Sequence, residues 1–381
     1  MSRGSLRLSW RLRAWAASLA VALAAIGATA SLAQALPANF WGVVPQAAPT
    51  LEQLQRLQRG GVRSERIPFV WSTVQPTRGG GFNWSGLDEE VGNASRAGIN
   101  LLPFLAGAPN WAVPAVWVAG SGHSVKAPAH LPVSGLGRTG WVAFITAAVA
   151  RYGPSGSFWA ENPTIPRRPL RVWQIWNEEN FKYFVAKPNP AEYGKLVKIS
   201  SAALNNADSG SKSLLGGMFA RPSEALKNFK PPRAYFAADF LEQMYQRTPG
   251  IKADFNGVAL HPYTSKYQEL TPDIEEFRAV LSKNHDSGKG LWITEMGWSS
   301  EGRSAGNSLA KGVNGQAAQL AGAFSLLRSK QRKWNIQAVY WFSVDDYAGV
   351  CNFCNGSGLF ASGFQPKKSW YEYVKFAGGT P

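Results

Sequence analysis

The chain after residue 35 alternates between short apolar or β-branched runs and longer amphipathic stretches, patterns typical of buried strands and of helices. Eight runs of the first kind are predicted to be strands: Phe40–Val44, Val62–Ile67, Asn100–Leu105, Arg171–Trp176, Ser213–Met218, Phe255–Leu260, Gly290–Thr294 and Ile336–Phe342. The predicted helices lie between and after them: Leu51–Arg59, Leu87–Ala97, Trp141–Tyr152, Ala191–Ala207, Tyr235–Gln246, Ile274–Ser282, Gln316–Ser329 and Lys368–Val374.

This regular alternation favours a parallel sheet over an antiparallel sandwich. Eight such units predict an α/β fold, a closed (β/α)8 TIM barrel, in a single domain that spans residues 36–381. The main alternative is an open, doubly wound sheet, which usually has a Gly-rich turn after its first strand. The turn Val43-Val44-Pro45-Gln46 contains no glycine. In a barrel the chemistry lies where strands end, so polar residues at those positions are the candidates.

The first 35 residues have the pattern of a secretory signal peptide. An apolar, alanine-rich run, Ala14–Ala30, precedes an A-x-A-like cleavage site at Ala33-Gln34-Ala35. An uncleaved membrane anchor is the alternative, because the run is just long enough to span a bilayer. The small residues of the run favour cleavage, which predicts a secreted or extracytoplasmic protein without a membrane span. The run follows four arginines: Arg3, Arg7, Arg11 and Arg13.

The chain is strongly basic, with a formal net charge of +16 that falls to +12 when those four arginines are removed. A basic surface indicates an anionic neighbour, such as a charged polysaccharide or the cell envelope, or serves only solubility. No basic recognition helix or nucleic-acid motif is present, so no nucleic-acid partner is expected. The four histidines are scattered, and neither a metal nor a cofactor is expected. We expect a monomer.

Cys351 and Cys354 are the only cysteines, and they lie in a loop rich in Gly and Asn. In an exported protein a local disulfide is favoured over a zinc half-site, because no second ligand pair exists. A redox CxxC motif would normally open a helix beside a βαβ unit. The sequence therefore predicts a disulfide that closes this loop.

Two glutamates directly follow predicted strands. Glu178 follows the strand that ends at Trp176, and Glu295 follows the strand that ends at Thr294. Cleavage of a glycosidic bond requires one carboxyl group to protonate the leaving oxygen and a second to act at the anomeric carbon. Glutamates that cap helices or form surface ion pairs are the structural alternative. Two strand-end glutamates among aromatic residues favour the catalytic interpretation.

The motifs Trp176-Asn177-Glu178 and Thr294-Glu295-Met296-Gly297-Trp298 resemble those of the clan A retaining glycoside hydrolases, and the nearest patterns are families 39 and 5. The resemblance implies that Glu178 is the acid/base and Glu295 the nucleophile. It departs from the pattern at Glu179, where many relatives have proline, and at Gln75, where an acid is common; both departures affect substrate identity. Further similar segments cover most of the chain: Gly61–Arg66, Trp71, Gln75-Pro76, Phe82–Trp84, Leu87-Asp88, Ala108–Trp111, His261–Tyr263, Gly358–Phe360 and Pro366-Lys367.

Four further polar residues are candidates for substrate binding. Asn177 can hydrogen-bond a sugar 2-hydroxyl, although an asparagine after a strand is otherwise a turn residue. Arg66 is a permanent cation that can hold Glu295 ionised, or else pair with the neighbouring Glu65. Tyr263 can donate to the nucleophile and His261 can line the same floor; the alternative is that both are buried structural residues. Glu179 cannot share the role of Glu178, and we expect it at a helix start or facing substrate.

Tryptophans are the candidates for sugar stacking. Trp341 is predicted to form the floor of the subsite for the reacting sugar, and Trp71, Trp111 and Trp298 to line outer subsites. The alternative is that tryptophans fill the core, because they bury much apolar area.

Together these features predict a secreted hydrolase that cleaves β-glycosidic bonds in a polysaccharide or oligosaccharide by double displacement. A transglycosylase with the same residues is one alternative. The other is a catalytically silent glycan-binding protein of the cell envelope, since a fold alone does not fix a function.

Overall fold

Eight parallel strands close into a barrel in a computed structural model, which describes residues 35–119, 124–221, 231, 233–302, 307–348 and 354–381. The order around the barrel is β1-β10-β9-β8-β7-β6-β3-β2, so consecutive barrel strands are neighbours. The barrel strands are β1 (Trp41–Val44), β2 (Ser64–Val70), β3 (Asn100–Ala106), β6 (Val172–Ile175), β7 (Lys212–Phe219), β8 (Gly257–His261), β9 (Gly290–Met296) and β10 (Ile336–Phe342). The predicted (β/α)8 barrel is confirmed.

Helices connect the barrel strands, and residues Pro37–Pro381 form one compact unit. Local signals explain where several begin: Thr50 and Gln53 form a capping box at the first helix, and Asn189 caps the helix that starts at Pro190. The helices are α1 (Leu51–Arg59), α2 (Trp71–Val74), α3 (Ser85–Ala97), α4 (Gly135–Tyr152), α5 (Ser157–Glu161), α6 (Pro190–Ala207), α7 (Ala237–Arg247), α8 (Leu270–Lys283), α9 (Gly312–Lys330) and α10 (Lys368–Ala377).

Two predictions concern segments that the structure does not fully describe. The predicted signal peptide lies almost wholly outside the described residues, so its cleavage stays a prediction. Cys351 also lies outside them, and the Cys351–Cys354 disulfide stays a prediction as well. Within the described part of the chain, no helix is long and apolar enough to cross a membrane.

Short additional strands decorate the barrel. A hairpin of β4 (Ala115–Ala119) and β5 (Ser124–Pro128) extends the segment after β3, and β11 (Phe360–Ala361) pairs with β12 (Gln365–Pro366) near the last helix. The hairpin contacts the segment that follows β6: the N–H of Ala186 in that segment donates to the carbonyl of Pro128 at the end of β5. It therefore flanks the side of the barrel on which Glu178 lies.

A β-bulge in β9 changes which residues face the barrel interior. Val339 and Trp341, two residues apart on β10, pair with Ile293 and Met296, three residues apart on β9. The extra residue lies at Thr294-Glu295. An inserted residue breaks the alternation of side chains, which lets these two neighbours both point inward.

Glu65, on β2, is a buried carboxyl group between the barrel and α3. Its Oε1 atom is without a hydrogen-bond partner, and burial together with the charge of Glu90 raises its pKa to about 8. The folded state therefore holds a proton that the unfolded state, with a pKa near 4.5, releases earlier. The stability that this proton provides is fully present below pH 4.5 and is lost as the pH rises through about 8.

Between pH 5 and pH 8 we expect the free energy of unfolding to fall in the wild type. The fall should exceed the change in Glu65→Gln by about 3–4 kcal/mol. The neutral amide has no proton to lose, so its stability changes less over this range. Urea unfolding at the two pH values measures the difference, with Glu52→Gln on exposed α1 as the control. Equal pH dependence in wild type and Glu65→Gln would show that Glu65 ionises normally.

Candidate active site

Glu178 and Glu295 lie together at the carboxyl ends of β6 and β9. One carboxylate oxygen of each, together with a ring nitrogen of His261, lies within 4.8 Å of the others. Both glutamates are largely buried. Trp176 and Glu178 have positive φ angles of 71° and 44°, a conformation that non-glycine residues rarely adopt. Such strained backbone concentrates at functional sites and here fixes the turn that presents Glu178.

Arg66 on β2 connects the two halves of the site. Its Nη1 group donates to Glu295 Oε1 over 2.6 Å, its Nη2 group to Asn177 Oδ1 over 2.5 Å, and its Nε group to Gln174 Oε1 over 2.6 Å. The guanidinium is fully buried and also packs over the Phe104 ring. The proposed pairing of Arg66 with Glu65 is not observed, because consecutive strand residues point to opposite faces.

His261 lies on the barrel floor between the glutamates. Its Nδ1 atom is 2.8 Å from Glu178 Oε1, and its Nε2 atom is 2.9 Å from Thr294 Oγ1. Burial and the nearby Arg66 charge lower its pKa well below the usual value, so the ring is neutral. A Cβ atom at Gly217 would lie 1.9 Å from His261 Nε2, and glycine at this position makes room for the ring.

The two glutamates lie in different electrostatic settings. Burial, followed by the negative charge of Glu295, raises the pKa of Glu178 well above its usual value, although Arg66 opposes the shift. Glu295 instead receives the Arg66 guanidinium and the Tyr263 hydroxyl, which donates to its Oε2 atom over 2.8 Å. Glu178 therefore favours its protonated form, whereas Glu295 lies between a fixed positive charge and a hydroxyl donor.

Three of the four predicted stacking tryptophans are fully buried. Trp341 packs against Trp298 and against Phe324 of α9, and its indole N–H donates to the Ser357 carbonyl. Trp298 donates to the Thr264 carbonyl, and Trp71, the first residue of α2, stacks on Phe144 of α4. Their rings cannot stack on a sugar. Trp111 is partly exposed and remains a candidate.

The predicted position of Trp341 is wrong because side chains alternate along β10, and the neighbouring residue is the one that faces the barrel interior. Phe342, the next residue on β10, belongs to the cluster of side chains inside the barrel, and its ring lies 6.2 Å from that of Tyr263. Phe219, at the end of β7, contacts Tyr263 from the other side, with ring centroids 5.8 Å apart. Phe342 and Phe219, and not Trp341, are therefore the aromatic side chains that lie against Tyr263.

Gln174 and Thr294 are site residues that the sequence analysis did not select. Gln174 accepts from Arg66, and its Nε2 group donates to Thr294 Oγ1 and to the Leu215 carbonyl. Both side chains orient groups that contact the glutamates. A polar residue inside an otherwise apolar strand is the signal that could have identified them, because a buried polar group must be hydrogen-bonded.

The cluster of Glu178, His261 and Glu295 also has the spacing of a possible metal site. The Arg66 guanidinium already neutralises Glu295 at 2.6 Å, and a divalent cation would have to lie beside this fixed positive charge. The contacts therefore favour a carboxyl pair that acts on a substrate directly.

Comparison with known proteins agrees with this geometry. The model of the family described as glycosyl hydrolase catalytic core matches residues 175–371, more than half of the chain and a range that includes both glutamates. The chain belongs to this family. The predicted resemblance to glycoside hydrolases is confirmed, and the solved structures extend it to family 39 at the level of the fold.

Solved glycosidase structures share the fold of this chain. A family 39 glycoside hydrolase from Bacteroides cellulosilyticus WH2 is 19% identical with a TM-score of 0.63, and the match covers 90% of this chain and 64% of the other. A monomeric β-xylosidase from Caulobacter crescentus CB15 is 17% identical, with a TM-score of 0.60 and coverages of 89% and 68%. An intracellular xylanase from Thermoanaerobacterium saccharolyticum JW/SL-YS485 is 15% identical, with a TM-score of 0.56 and coverages of 89% and 95%.

The chain thus spans less than two thirds of the length of the Bacteroides enzyme. Identities at this level establish a common barrel and not a common substrate.

Proposed function

We propose that the protein is a retaining glycoside hydrolase that cleaves β-glycosidic bonds, with Glu295 as nucleophile and Glu178 as acid/base. The separation of the two glutamates, with carboxylate oxygens within 4.8 Å, is the observation that carries this proposal. A nucleophile that touches the anomeric carbon requires carboxyl groups about 5–5.5 Å apart, whereas inversion requires about 6.5–9.5 Å to admit a water. The observed spacing fits direct attack.

In the first step, Glu295 attacks the anomeric carbon and forms a glycosyl–enzyme bond while the bond to the leaving oxygen breaks. Glu178 donates its proton to that oxygen, for which its raised pKa prepares it. Arg66 and Tyr263 keep Glu295 ionised and oriented. The Oδ1 atom of Asn177 is held by Arg66, which directs the amide nitrogen towards a sugar 2-hydroxyl.

In the second step, the ionised Glu178 takes a proton from water, which attacks the anomeric carbon and releases Glu295. In the glycosyl–enzyme intermediate, Glu295 is part of an ester and carries no negative charge, unlike Glu295 in the free enzyme. The loss of this negative charge lowers the pKa of Glu178, as its new role as a base requires.

The proposed substrate is a polysaccharide or oligosaccharide outside the cytoplasm. The sequence charge of +16 supports an anionic glycan or an envelope location, and the signal-peptide pattern supports export. The names of the Caulobacter and Thermoanaerobacterium relatives describe enzymes that act on xylosides and xylan, which makes xylans the first substrates to test. A monomer is proposed, as the name of the Caulobacter enzyme describes for that protein.

A screen of intact β-glucans, mannans, xylans and envelope exopolysaccharides tests the proposed function. We expect new reducing ends, with the β-anomer formed first in proton NMR. Lengthened oligosaccharides would identify a transglycosylase. Binding without any product would identify a silent glycan-binding protein, and an initial α-product from a β-glycan would contradict retention.

Tyr263→Phe is expected to lower kcat/KM roughly 10- to 100-fold, because one hydrogen bond to a charged group contributes about 1.5–3 kcal/mol. The variant keeps the ring that packs against Phe219 and Phe342. Tyr371→Phe, on the exposed surface of α10, is the matched control and should behave like wild type. Unchanged kinetics in Tyr263→Phe would show that its hydroxyl does not assist Glu295.

A further inference from the structure

Glu179, the residue after the proposed acid/base Glu178, is fully buried. Its carboxyl group lies against β7, where a Cβ atom at Gly216 would be 1.9 Å from Glu179 Oε2. The sequence analysis expected this residue at a helix start or facing substrate, and neither position is observed. Glycine at position 216 makes room for the carboxyl group.

Neither carboxyl oxygen of Glu179 accepts a hydrogen bond of normal geometry, although its own backbone N–H and the Tyr193 hydroxyl lie close enough to favour its charged form. The adjacent Tyr193 hydroxyl of α6 already donates to the Ile175 carbonyl over 2.9 Å and accepts from the Gly216 N–H over 2.7 Å. An isolated carboxylate in such a place would cost many kcal/mol, whereas a carboxylic acid costs far less. The complete burial of the carboxyl group therefore favours the neutral form.

Three titratable or charged groups among the described residues act on Glu179: Tyr193 from α6, Arg66 from β2 and Glu178 beside it in the chain. Burial dominates over the opposing effects of Tyr193 and Arg66 and raises the pKa of Glu179 to about 8. A negative charge on Glu179 would in turn act on Glu178. The two neighbouring glutamates are thus electrostatically linked.

We propose that Glu179 is a positioning residue whose neutral, buried carboxyl group anchors the strained turn that presents Glu178, and whose ionisation releases this turn. Asn180, which bonds the Phe219 and Tyr235 carbonyls, holds the segment that follows. Glu179 lies at the other end, directly after the positive φ of Glu178, with its carboxyl group in the space that Gly216 leaves open. This inference rests on the proposed role of Glu178, but its stability test does not.

Glu179→Gln keeps the shape and removes the ionisation. Below pH 7 its kcat and KM should lie within about three-fold of wild type. Above pH 8 the activity of the wild type should fall as two groups, Glu178 and Glu179, lose their protons. The activity of the variant should fall with the loss of the Glu178 proton alone. At pH 9 wild-type activity, relative to pH 6, should therefore fall roughly ten-fold further than that of Glu179→Gln. Glu52→Gln, the control, should follow wild type.

The melting temperature from pH 6 to pH 9 gives a readout that needs no substrate. It should fall less in Glu179→Gln, and in the apolar Glu179→Met, than in wild type. The proposal would be overturned if wild type and Glu179→Gln had the same pH profile of activity and the same pH profile of melting temperature. Failure of both neutral variants to fold at pH 6 would also overturn it. If no glycan is cleaved but the stability difference is present, the proposed function fails while the neutral, buried state of Glu179 stands.

Discussion

Glu295→Ala is expected to reduce hydrolysis by roughly 10⁴- to 10⁶-fold, the loss typical of removing a covalent nucleophile. The substitution removes the atom that attacks the anomeric carbon and leaves the buried Arg66 charge without its carboxylate partner. Initial rates with an aryl β-glycoside of the sugar found in the substrate screen measure the effect. Added azide should not restore a product of retained configuration, because azide would then attack from the face that Glu295 occupied.

Two controls make this result specific. Glu52→Gln should keep the wild-type rate, since its side chain is exposed on α1. Circular dichroism should show that Glu295→Ala is folded, and Glu295→Gln offers a variant that keeps a polar group beside Arg66. A folded Glu295→Gln with more than about one tenth of the wild-type rate would exclude Glu295 as the nucleophile.

Glu178→Ala is expected to have the second largest effect, a loss of about 10²- to 10⁴-fold on natural glycans, whose leaving oxygen needs a proton. A substrate with an activated phenol needs no such proton, so glycosylation should proceed and the intermediate should accumulate. Azide should then restore turnover and give the β-glycosyl azide, because it attacks the glycosyl–Glu295 ester from the side of the missing acid/base.

The pH profile provides an independent check of Glu178. Because its pKa is raised, wild-type activity should persist above the usual range of a carboxylic acid and fall as the pH rises through the pKa of Glu178. With the activated substrate this alkaline decrease should be much weaker in Glu178→Ala. A variant that still requires a protonated group, or that forms no β-azide, would place the acid/base elsewhere.

The barrel was predictable from the sequence because its strands are buried on both faces. Apolar runs such as Ile336–Phe342 coincide with the observed β10, and Leu51–Arg59 coincides with α1. The proximity of Glu178 and Glu295 was predictable by the same logic, since the ends of parallel strands meet at one face of the barrel. Their positions in the chain were sufficient to predict that they lie together.

Side-chain direction was less predictable, because it depends on register. The pairing of Ile336 with Leu291 and of Ala338 with Trp292 is irregular, and no local pattern in β10 announces this shift. Trp341 was therefore assigned to the interior, where Phe342 lies. Glu179 shows a second limit: an acid becomes buried only because Gly216, distant in the chain, leaves room for it.

Covalent trapping tests the central claim most directly. The enzyme is incubated with a 2-deoxy-2-fluoro β-glycoside that carries an activated leaving group, and the intact mass and the peptides are then analysed. We predict one glycosyl unit per chain, attached to Glu295, and no adduct in Glu295→Ala. An adduct on another residue, or turnover that forms the α-product first and yields no adduct, would contradict a retaining mechanism at Glu178 and Glu295.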